Sequence, residues 1–230
     1  MISIVYQPIL YSMNIVVLHG WGQNSEYWQE ISSKFDNSLT LDLPGFGNTP
    51  LIDSNWGIAN YASWVVNQIE SKGLKNVVLV GHSFGGRIAS YVASQNPEWL
   101  NLLVLYGAPC IYRPSLSLKM KTRLFKILKN LGIKKKPKNS ELNIADSNGM
   151  GKIFRKAVVF DQTEILPKIK VPTLLIWGEK DFDVPLSIAK EMHTLIPKSQ
   201  LVVLNNLGHN AHLENPNLFY GTIKNFIQNN

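Results

Sequence analysis

The sequence predicts an α/β fold in which a mostly parallel sheet carries helices on both faces. Short runs of Val, Ile and Leu, such as 77–80, recur along the chain and are typical of buried strands. Segments with helical apolar spacing alternate with them. Strands that are apolar throughout indicate a parallel sheet buried on both sides. The 230 residues are 45% hydrophobic, which is enough to bury the core of one compact domain.

Each element follows from a local pattern, taken in chain order. Apolar runs predict strands at 15–18, 77–80, 102–105, 173–177 and 201–204. Residues 38–42 are predicted to form a further strand, which ends in a turn at 43–47. Helices are predicted at 25–35, capped by Asn24 or Ser25, then along the stripe from Tyr61 to Ile69, and at 85–95, 187–195 and from Asn215-Pro216 onward. Residues 2–12 are expected to add one or two edge strands, although Met13 is an alternative start.

The alternation stops between about residues 110 and 167, and we interpret this stretch as a helical insertion within a single domain spanning 1–230. About 55 residues rarely sustain a core of their own. The formal net charge is +7, yet residues 99–140 contain ten Lys or Arg and no acid, which leaves −3 for the remainder. A basic segment without a reader motif does not favour nucleic-acid binding.

Composition excludes several further classes. The longest nearly apolar run has 11 residues, too few to cross a bilayer, so no transmembrane segment is expected. The first basic residue is Lys34, which does not suit a secretory signal. Cys110 is the only cysteine and can form neither an internal disulfide nor a zinc cluster. A cytoplasmic protein without a metal or organic cofactor is expected.

Gly81-His82-Ser83-Phe84-Gly85 fits the pattern G-x-S-x-G between a predicted strand and a predicted helix. A sharp turn there would expose the Ser83 hydroxyl at the carboxyl end of the sheet. The N–H groups that begin the helix would favour developing negative charge. Ser83 is therefore the candidate nucleophile.

A serine nucleophile needs a base, and the base needs an orienting acid. Asp181 and His209 each follow a predicted strand, where open α/β sheets place their sites. The order Ser, Asp, His is the one expected for this type of elbow. Asp183 remains an alternative to Asp181, and His212 remains an alternative to His209.

The segment 19–22, His-Gly-Trp-Gly, follows the first strand and supplies a candidate oxyanion hole. The expected donors are the backbone N–H groups of Trp21 and of Phe84. We expect His19 to order this loop by hydrogen bonding. Trp21 and His82 are the candidate substrate-binding residues.

Together these motifs resemble the α/β-hydrolase superfamily. They are His-Gly-Trp-Gly at 19–22, Asp-Leu-Pro-Gly-Phe-Gly at 42–47, Gly-His-Ser-Phe-Gly-Gly at 81–86, Gly-Glu-Lys-Asp at 178–181 and Gly-His at 208–209. The resemblance covers about residues 14–109 and 168–230. It implies an α/β-hydrolase fold with Ser83 as nucleophile, Asp181 as acid and His209 as base. A serine at the elbow argues against the dehalogenases and epoxide hydrolases of this fold, which use Asp.

Residues 19–24 resemble those of small carboxylesterases, including pimeloyl-[acyl-carrier protein] methyl ester esterases. The insertion is then a cap over the site. Apolar residues from Leu116 to Leu131 would form one face of a cap helix whose other faces are rich in lysine. The simplest interpretation is an ordinary cap helix with solvated lysines. Docking of an acidic carrier protein, or adsorption to an anionic lipid surface, would also fit.

The sequence thus predicts a serine hydrolase that cleaves small-molecule carboxylic esters through an acyl-enzyme. A thioesterase or carrier-linked ester hydrolase would use the same residues. A non-catalytic binding protein of this fold is the alternative of another class. Lactone, C–C bond and perhydrolase chemistry share the framework and stay open.

Overall fold

The structure, a computed structural model, describes residues 13–114 and 140–230. The predicted edge strands at 2–12 and the predicted basic helix at 116–131 lie outside these residues. The described part has the predicted α/β architecture.

Six strands form one sheet in the described ranges, and every neighbouring pair is parallel. The sheet order is β2-β1-β3-β4-β5-β6. The strands are β1 (Asn14–Leu18), β2 (Ser38–Leu41), β3 (Val77–His82), β4 (Leu100–Tyr106), β5 (Thr173–Gly178) and β6 (Ser199–Leu204). Because all six run the same way, their carboxyl ends meet at one edge of the sheet.

Helices cover both faces of this sheet. They are α1 (Gln29–Ser32), α2 (Ile58–Ser71), α3 (Phe84–Ser94), α4 (Ser140–Ser147), α5 (Gly151–Val159), α6 (Leu186–Leu195), α7 (Ala211–Glu214) and α8 (Pro216–Gln228). Short 3₁₀ turns occupy Ser25–Trp28 and Leu166–Lys168. In the described residues no helix is long and apolar enough to cross a membrane.

The strand side chains explain why both faces need cover. In β3, Leu79 joins the apolar cluster that contains residues of α2, α3 and α6. Its neighbours Val78 and Val80 join the opposite cluster with α8. Strand side chains alternate between the two faces, so an apolar residue at every position requires a helix layer on each side.

One predicted helix is shorter than the sequence suggested. The pattern at 25–35 predicts a single helix, whereas the structure has a 3₁₀ turn followed by the four residues of α1. Beyond α1, the N–H groups of Lys34 and Phe35 donate to Ile31 and Ser32 respectively, three residues back, so the chain continues in tight turns. Serine, aspartate and asparagine follow, and they favour turns over a helix interior.

The described part of the predicted insertion consists largely of α4 and α5. Met150, Ile153, Phe154 and Ala157 are buried in the same apolar cluster as α2 and α3. These helices therefore pack onto the main body. That the chain is one domain with a cap at 110–167 stays a prediction.

Candidate active site

Ser83 is the one residue between strand β3 and helix α3. Its backbone has φ 49° and ψ −110°, outside the ordinary regions for a side-chain-bearing residue. Its N–H donates to the Tyr106 carbonyl at 2.9 Å. Strained backbone of this kind costs about 1–3 kcal/mol and persists only where surrounding packing holds it. The turn places Ser83 at the carboxyl edge of the sheet.

The two glycines of the motif let α3 approach the sheet closely. A Cβ atom at Gly85 would lie 2.3 Å from the Leu18 carbonyl oxygen, and one at Gly81 would lie 2.6 Å from the Gly85 carbonyl oxygen. Both distances are far below van der Waals contact. The motif therefore requires glycine at these positions for close backbone packing around the turn.

His209 and Asp181 meet at the same edge. The Nδ1–H of His209 donates to Asp181 Oδ2 at 2.8 Å. The other carboxylate oxygen, Oδ1, accepts the N–H groups of Asp183 and Val184 at 3.0 and 2.8 Å. With both oxygens engaged and its side chain fully buried, Asp181 is held in place. The Nε2 lone pair of His209 is left for another partner.

The structure separates these residues from the two alternatives. Asp183 is exposed and hydrogen bonds to His209 through neither carboxylate oxygen in the described contacts. His212 is only 1% exposed and stacks on Trp28 with ring centroids 4.3 Å apart. Neither ring nitrogen of His212 has a hydrogen-bond partner within residues 13–114 and 140–230. Burial lowers the pKa of His212 to about 3, so the ring is neutral.

Gly107 is a site residue that the sequence analysis missed. It follows strand β4 with φ +51°. A Cβ atom there would lie 2.9 Å from Cε1 and 3.0 Å from Nδ1 of His209, and 3.3 Å from Asp181 Oδ2. The position must lack a side chain for the His209–Asp181 pair to form. A glycine directly after a predicted strand, at the edge that carries the site, was the available signal.

The candidate oxyanion residues lie beside the same pocket. Trp21 and Phe84 line it together with Ser83 and His209. Phe84 begins α3, and the first N–H groups of a helix have no intrahelical acceptor. The Trp21 ring packs edge-on against the Phe84 and Phe154 rings, each with centroids 5.0 Å away. This packing fixes the loop that carries the Trp21 backbone.

His19 orders the loop at 19–22, which carries the candidate oxyanion donor Trp21, through hydrogen bonds, as the sequence predicts. Its ring is fully buried, and Nδ1–H donates to the Gly20 carbonyl at 2.8 Å. The Nε2 atom accepts the Leu43 N–H at 3.0 Å. Burial lowers the pKa of His19, and the neutral tautomer satisfies both contacts.

His82 is placed behind the site and not in the pocket wall, contrary to its expected contact with substrate. The ring is 1% exposed, and its Nε2 lies 2.9 Å from the His209 carbonyl oxygen. Its Nδ1 lies 3.1 Å from Gln23 Oε1. Gln23 also accepts the Gly20 N–H through Oε1 and donates from Nε2 to Asn210 Oδ1 at 3.0 Å. His82 and Gln23 therefore link the loop at 19–22 to the loop that carries His209.

Tyr106, another residue that the sequence analysis missed, supports the same loop. Its hydroxyl donates to the His209 carbonyl oxygen and accepts the Ala211 N–H. Its ring stacks on His82 with centroids 4.6 Å apart. Tyr106 ends a buried strand, and sequence alone gave no sign that its hydroxyl would reach the loop that follows β6.

The pocket has a volume of about 400 Å³ and takes its upper wall from α5, through Phe154, Ala157 and Val158. Asp181, Asp183 and His209 offer ligand atoms within 4.8 Å of one another, as a metal site would. The hydrogen bond between His209 Nδ1 and Asp181 Oδ2 uses two of those atoms. The donor set therefore fits an acid–base pair better than a metal centre.

The sequence is similar to those of known proteins with this architecture. The sequence profile described as alpha/beta hydrolase family matches residues 15–221. The chain is 30% identical to the uncharacterized hydrolase YugF of Bacillus subtilis (strain 168), covering 93% of this chain and 89% of that protein. It is 25% identical to a pimeloyl-[acyl-carrier protein] methyl ester esterase of Yersinia pseudotuberculosis, with 94% of each covered.

Two solved structures share the fold. A bromoperoxidase from Bacillus anthracis has a TM-score of 0.78 at 20% identity, over 94% of this chain and 92% of that one. An esterase from Exiguobacterium antarcticum has a TM-score of 0.73 at 24% identity, over the same shares. At these identities the likeness concerns the fold alone.

Proposed function

The chain belongs to the alpha/beta hydrolase family, and on that premise we propose that it is a serine hydrolase that cleaves carboxylic esters through an acyl-enzyme intermediate. Hydrolases and esterases among its relatives support an enzyme of this class. The observation that carries the proposal is the His209–Asp181 hydrogen bond beside Ser83 in one pocket. A strained serine and a histidine hydrogen-bonded to a buried acid are what acyl transfer needs.

In the first step, Ser83 Oγ attacks the ester carbonyl carbon while His209 Nε2 accepts the hydroxyl proton. The carbonyl oxygen becomes an oxyanion, and the backbone N–H groups of Trp21 and Phe84 stabilise it. The carbon–oxygen bond to the alcohol then breaks, and the alcohol leaves with the proton from His209. An acyl group remains on Ser83.

In the second step, His209 takes a proton from water, whose oxygen attacks the acyl carbon. The oxyanion forms again in the same place, and the Ser83 oxygen leaves with the proton from His209. Asp181 keeps Nδ1 protonated throughout, because its Oδ2 accepts that proton's hydrogen bond at 2.8 Å. It also stabilises the imidazolium that forms in each step.

A second candidate is hydrolysis of an ester or thioester carried on an acidic acyl carrier protein. Two observations favour it: the 25% identity to the pimeloyl-[acyl-carrier protein] methyl ester esterase and the ten basic residues in 99–140. Such a partner presupposes the cytoplasmic location predicted from the sequence. Comparing one acyl group as a free methyl ester and as a carrier-bound ester, at low and high salt, separates the candidates. Carrier docking predicts a preference for the bound form that salt removes.

The direct test uses p-nitrophenyl esters with acyl chains of two to twelve carbons. Wild type is expected to release a burst of nitrophenol and to attach a fluorophosphonate probe to Ser83. Ser83→Ala is expected to lose about 10³-fold or more of kcat/KM. Ser63→Ala, an exposed serine on α2, is the matched control and should keep wild-type activity. Full turnover in folded Ser83→Ala, or a probe on another residue, would contradict the proposal.

A further inference from the structure

Arg87 is a buried cation in the wall of the same pocket. It lies on α3, and its N–H donates to the Ser83 carbonyl oxygen at 3.1 Å, so the two residues are one helical turn apart. One turn is about 5.4 Å along the helix axis, and residues four apart share a helix face. Arg87 is 6% exposed, yet it lines the pocket with Ser83 and His209. The proposed ester hydrolysis assigns no role to this side chain.

The groups that accept hydrogen bonds from the Arg87 guanidinium are neutral backbone carbonyls. Its Nη1 and Nη2 donate to the carbonyl oxygens of Phe160 and Val158 at 2.7 and 3.3 Å. Across the described parts of the chain, no carboxylate oxygen lies within 4.0 Å of its guanidinium nitrogens. These carbonyl groups at the end of α5 accept hydrogen bonds from two of the five guanidinium N–H groups of Arg87. Within the described residues the guanidinium therefore has no carboxylate in contact: Asp161 attracts it from beyond 4.0 Å and is itself paired with Arg113. A buried cation without a contacting carboxylate is costly in a protein interior.

The charge is present under ordinary conditions. Burial lowers the pKa of Arg87 to about 10, so the guanidinium stays protonated near neutral pH. An arginine in such surroundings forms strong, directional hydrogen bonds to a carboxylate. The pocket thus offers a fixed positive group to whatever part of a substrate extends past Ser83 toward α5.

We propose that the acyl part of the substrate ends in a carboxylate that pairs with Arg87, so that the favoured substrates are half-esters of dicarboxylic acids. This inference rests on the proposed function, because it places the ester carbonyl at Ser83. The acid group then lies at the far end of the acyl chain, under α5. Product release would free a dicarboxylate.

The other charges of the pocket sharpen the assignment. Glu141 and Asp183 also line it, and both are exposed. Water and salt screen exposed charges, whereas a buried charge keeps most of its strength. An acyl carboxylate is therefore repelled weakly near these two residues and attracted strongly at Arg87. The burial and position of each charged side chain, and not the net charge of the pocket, therefore decide the selectivity for an acyl carboxylate.

The experiment compares two series of substrates at equal carbon number. One series contains mono-p-nitrophenyl esters of dicarboxylic acids with six to eight carbons, and the other contains p-nitrophenyl esters of the matching monocarboxylic acids. The quantity measured is the ratio of kcat/KM, acidic over neutral. Wild type is expected to favour the half-esters. Arg87→Met should lower the ratio about tenfold or more, and Arg87→Lys by less, because it keeps the charge without the fork.

Arg155→Met is the matched control, because Arg155 lies on α5, is exposed, pairs with Asp146 and does not line the pocket. Its ratio should equal that of wild type. Loss of the Arg87 contacts to α5 can slow both substrate series, and the ratio removes this common effect. A wild type that prefers the neutral esters, or a ratio that Arg87→Met leaves unchanged, would overturn the inference.

Binding supplies a second measurement if Arg87→Met is too unstable or too slow. In Ser83→Ala, calorimetry should show that monomethyl adipate binds about tenfold more tightly than dimethyl adipate. Equal affinities would overturn the inference even without an Arg87 variant. Failure of the proposed function looks different, because folded Ser83→Ala would then keep its turnover on both series. If Ser83→Ala loses turnover but Arg87→Met leaves the ratio of kcat/KM unchanged, the proposed pairing of Arg87 with a carboxylate is refuted and the proposed ester hydrolysis is not.

Discussion

Two adjoining regions place a histidine in opposite environments. One is the loop that carries His209, and the other is the aromatic cluster formed by Trp28, Tyr106, His212 and Phe219. In the loop, His209 donates to a buried carboxylate and lines the pocket. In the cluster, His212 stacks on Trp28 and lies 6.0 Å from Phe219, centroid to centroid. Only three positions separate the two residues in the chain.

The contrast indicates that hydrogen-bond partners, and not residue type, suit His209 to its proposed role as base. Asp181 fixes one tautomer of His209 and can stabilise its protonated form. Among the described residues no group hydrogen bonds to the His212 ring, and burial lowers its pKa to about 3, so it behaves as an aromatic core residue. Tyr106 belongs to both regions, because its ring packs on Phe219 while its hydroxyl donates to the His209 carbonyl oxygen.

The largest expected effect comes from replacing each histidine in turn. His209→Gln should lower kcat/KM on p-nitrophenyl esters by about 10³- to 10⁴-fold, because the proposed base is lost. His212→Phe preserves the aromatic stacking and should keep activity within about threefold, since it touches no reacting atom. Steady-state kinetics on both folded variants checks the pair. Comparable losses in the two would mean that the regions are not functionally distinct.

A smaller effect is expected from a methyl group placed at the border of the His209 loop. In Gly107→Ala the new Cβ would lie only 2.9 Å from His209 Cε1, which is closer than van der Waals contact, so the imidazole must move. Displacing a catalytic group by about 1 Å can lower the rate about 10²-fold, and we expect a loss of up to that size here. The measurement is kcat/KM, with the free energy of unfolding recorded alongside.

Gly73→Ala is the control for backbone strain. Gly73 also has positive φ, +62°, but a Cβ there meets nothing within 4 Å. Both alanine variants should lose about 1–2 kcal/mol of stability from the left-handed backbone. Only the change at position 107 should slow hydrolysis. Equal activities of the two variants would show that His209 tolerates the added methyl group.

The smallest expected effect concerns stability and pH. Between pH 6.5 and about 3, unfolded His212 binds a proton that the folded protein excludes. Stability is therefore complete above pH 6.5 and falls as the pH drops, by about 1.4 kcal/mol per pH unit from this residue. His19 and His82 act in the same direction and remain in the variant.

His212→Phe should therefore lose less stability than wild type on going from pH 7 to pH 5. Urea unfolding at both pH values measures the difference, with His193→Phe, an exposed histidine on α6, as the reference. Parallel pH dependence in wild type and His212→Phe would show that the cluster does not keep His212 neutral.

Much of the fold could be predicted from local patterns. The central strands follow from apolar runs such as 77–80, and the parallel sheet follows from the uniform apolarity of those runs. Strand β2, Ser-Leu-Thr-Leu, has polar residues at alternate positions and was predicted from the turn that follows it. The helix expected at 25–35 was the main error. Its apolar spacing was compatible with a helix, but the turn residues after Ser32 prevailed.

The candidate site could be predicted only in part. Ser83 was evident because a strand, a tight turn and a helix leave a continuous signature in the chain. Asp181 and His209 were preferred over Asp183 and His212 by motif resemblance, and the structure brings the preferred pair together. Gly107, Gln23 and Tyr106 were missed, since each acts on a residue about 75 to 190 positions away.

The sequence by itself determined the layered α/β fold, the elbow around Ser83 and the order of the candidate catalytic residues. These depend on side-chain periodicity and on glycines at fixed spacing, which are local properties. Tertiary structure alone decided which histidine faces the pocket, which aspartate it meets and why Arg87 keeps a charge beside Ser83. Burial and hydrogen-bond partners arise from strands distant in sequence, and they set the protonation and role of each side chain.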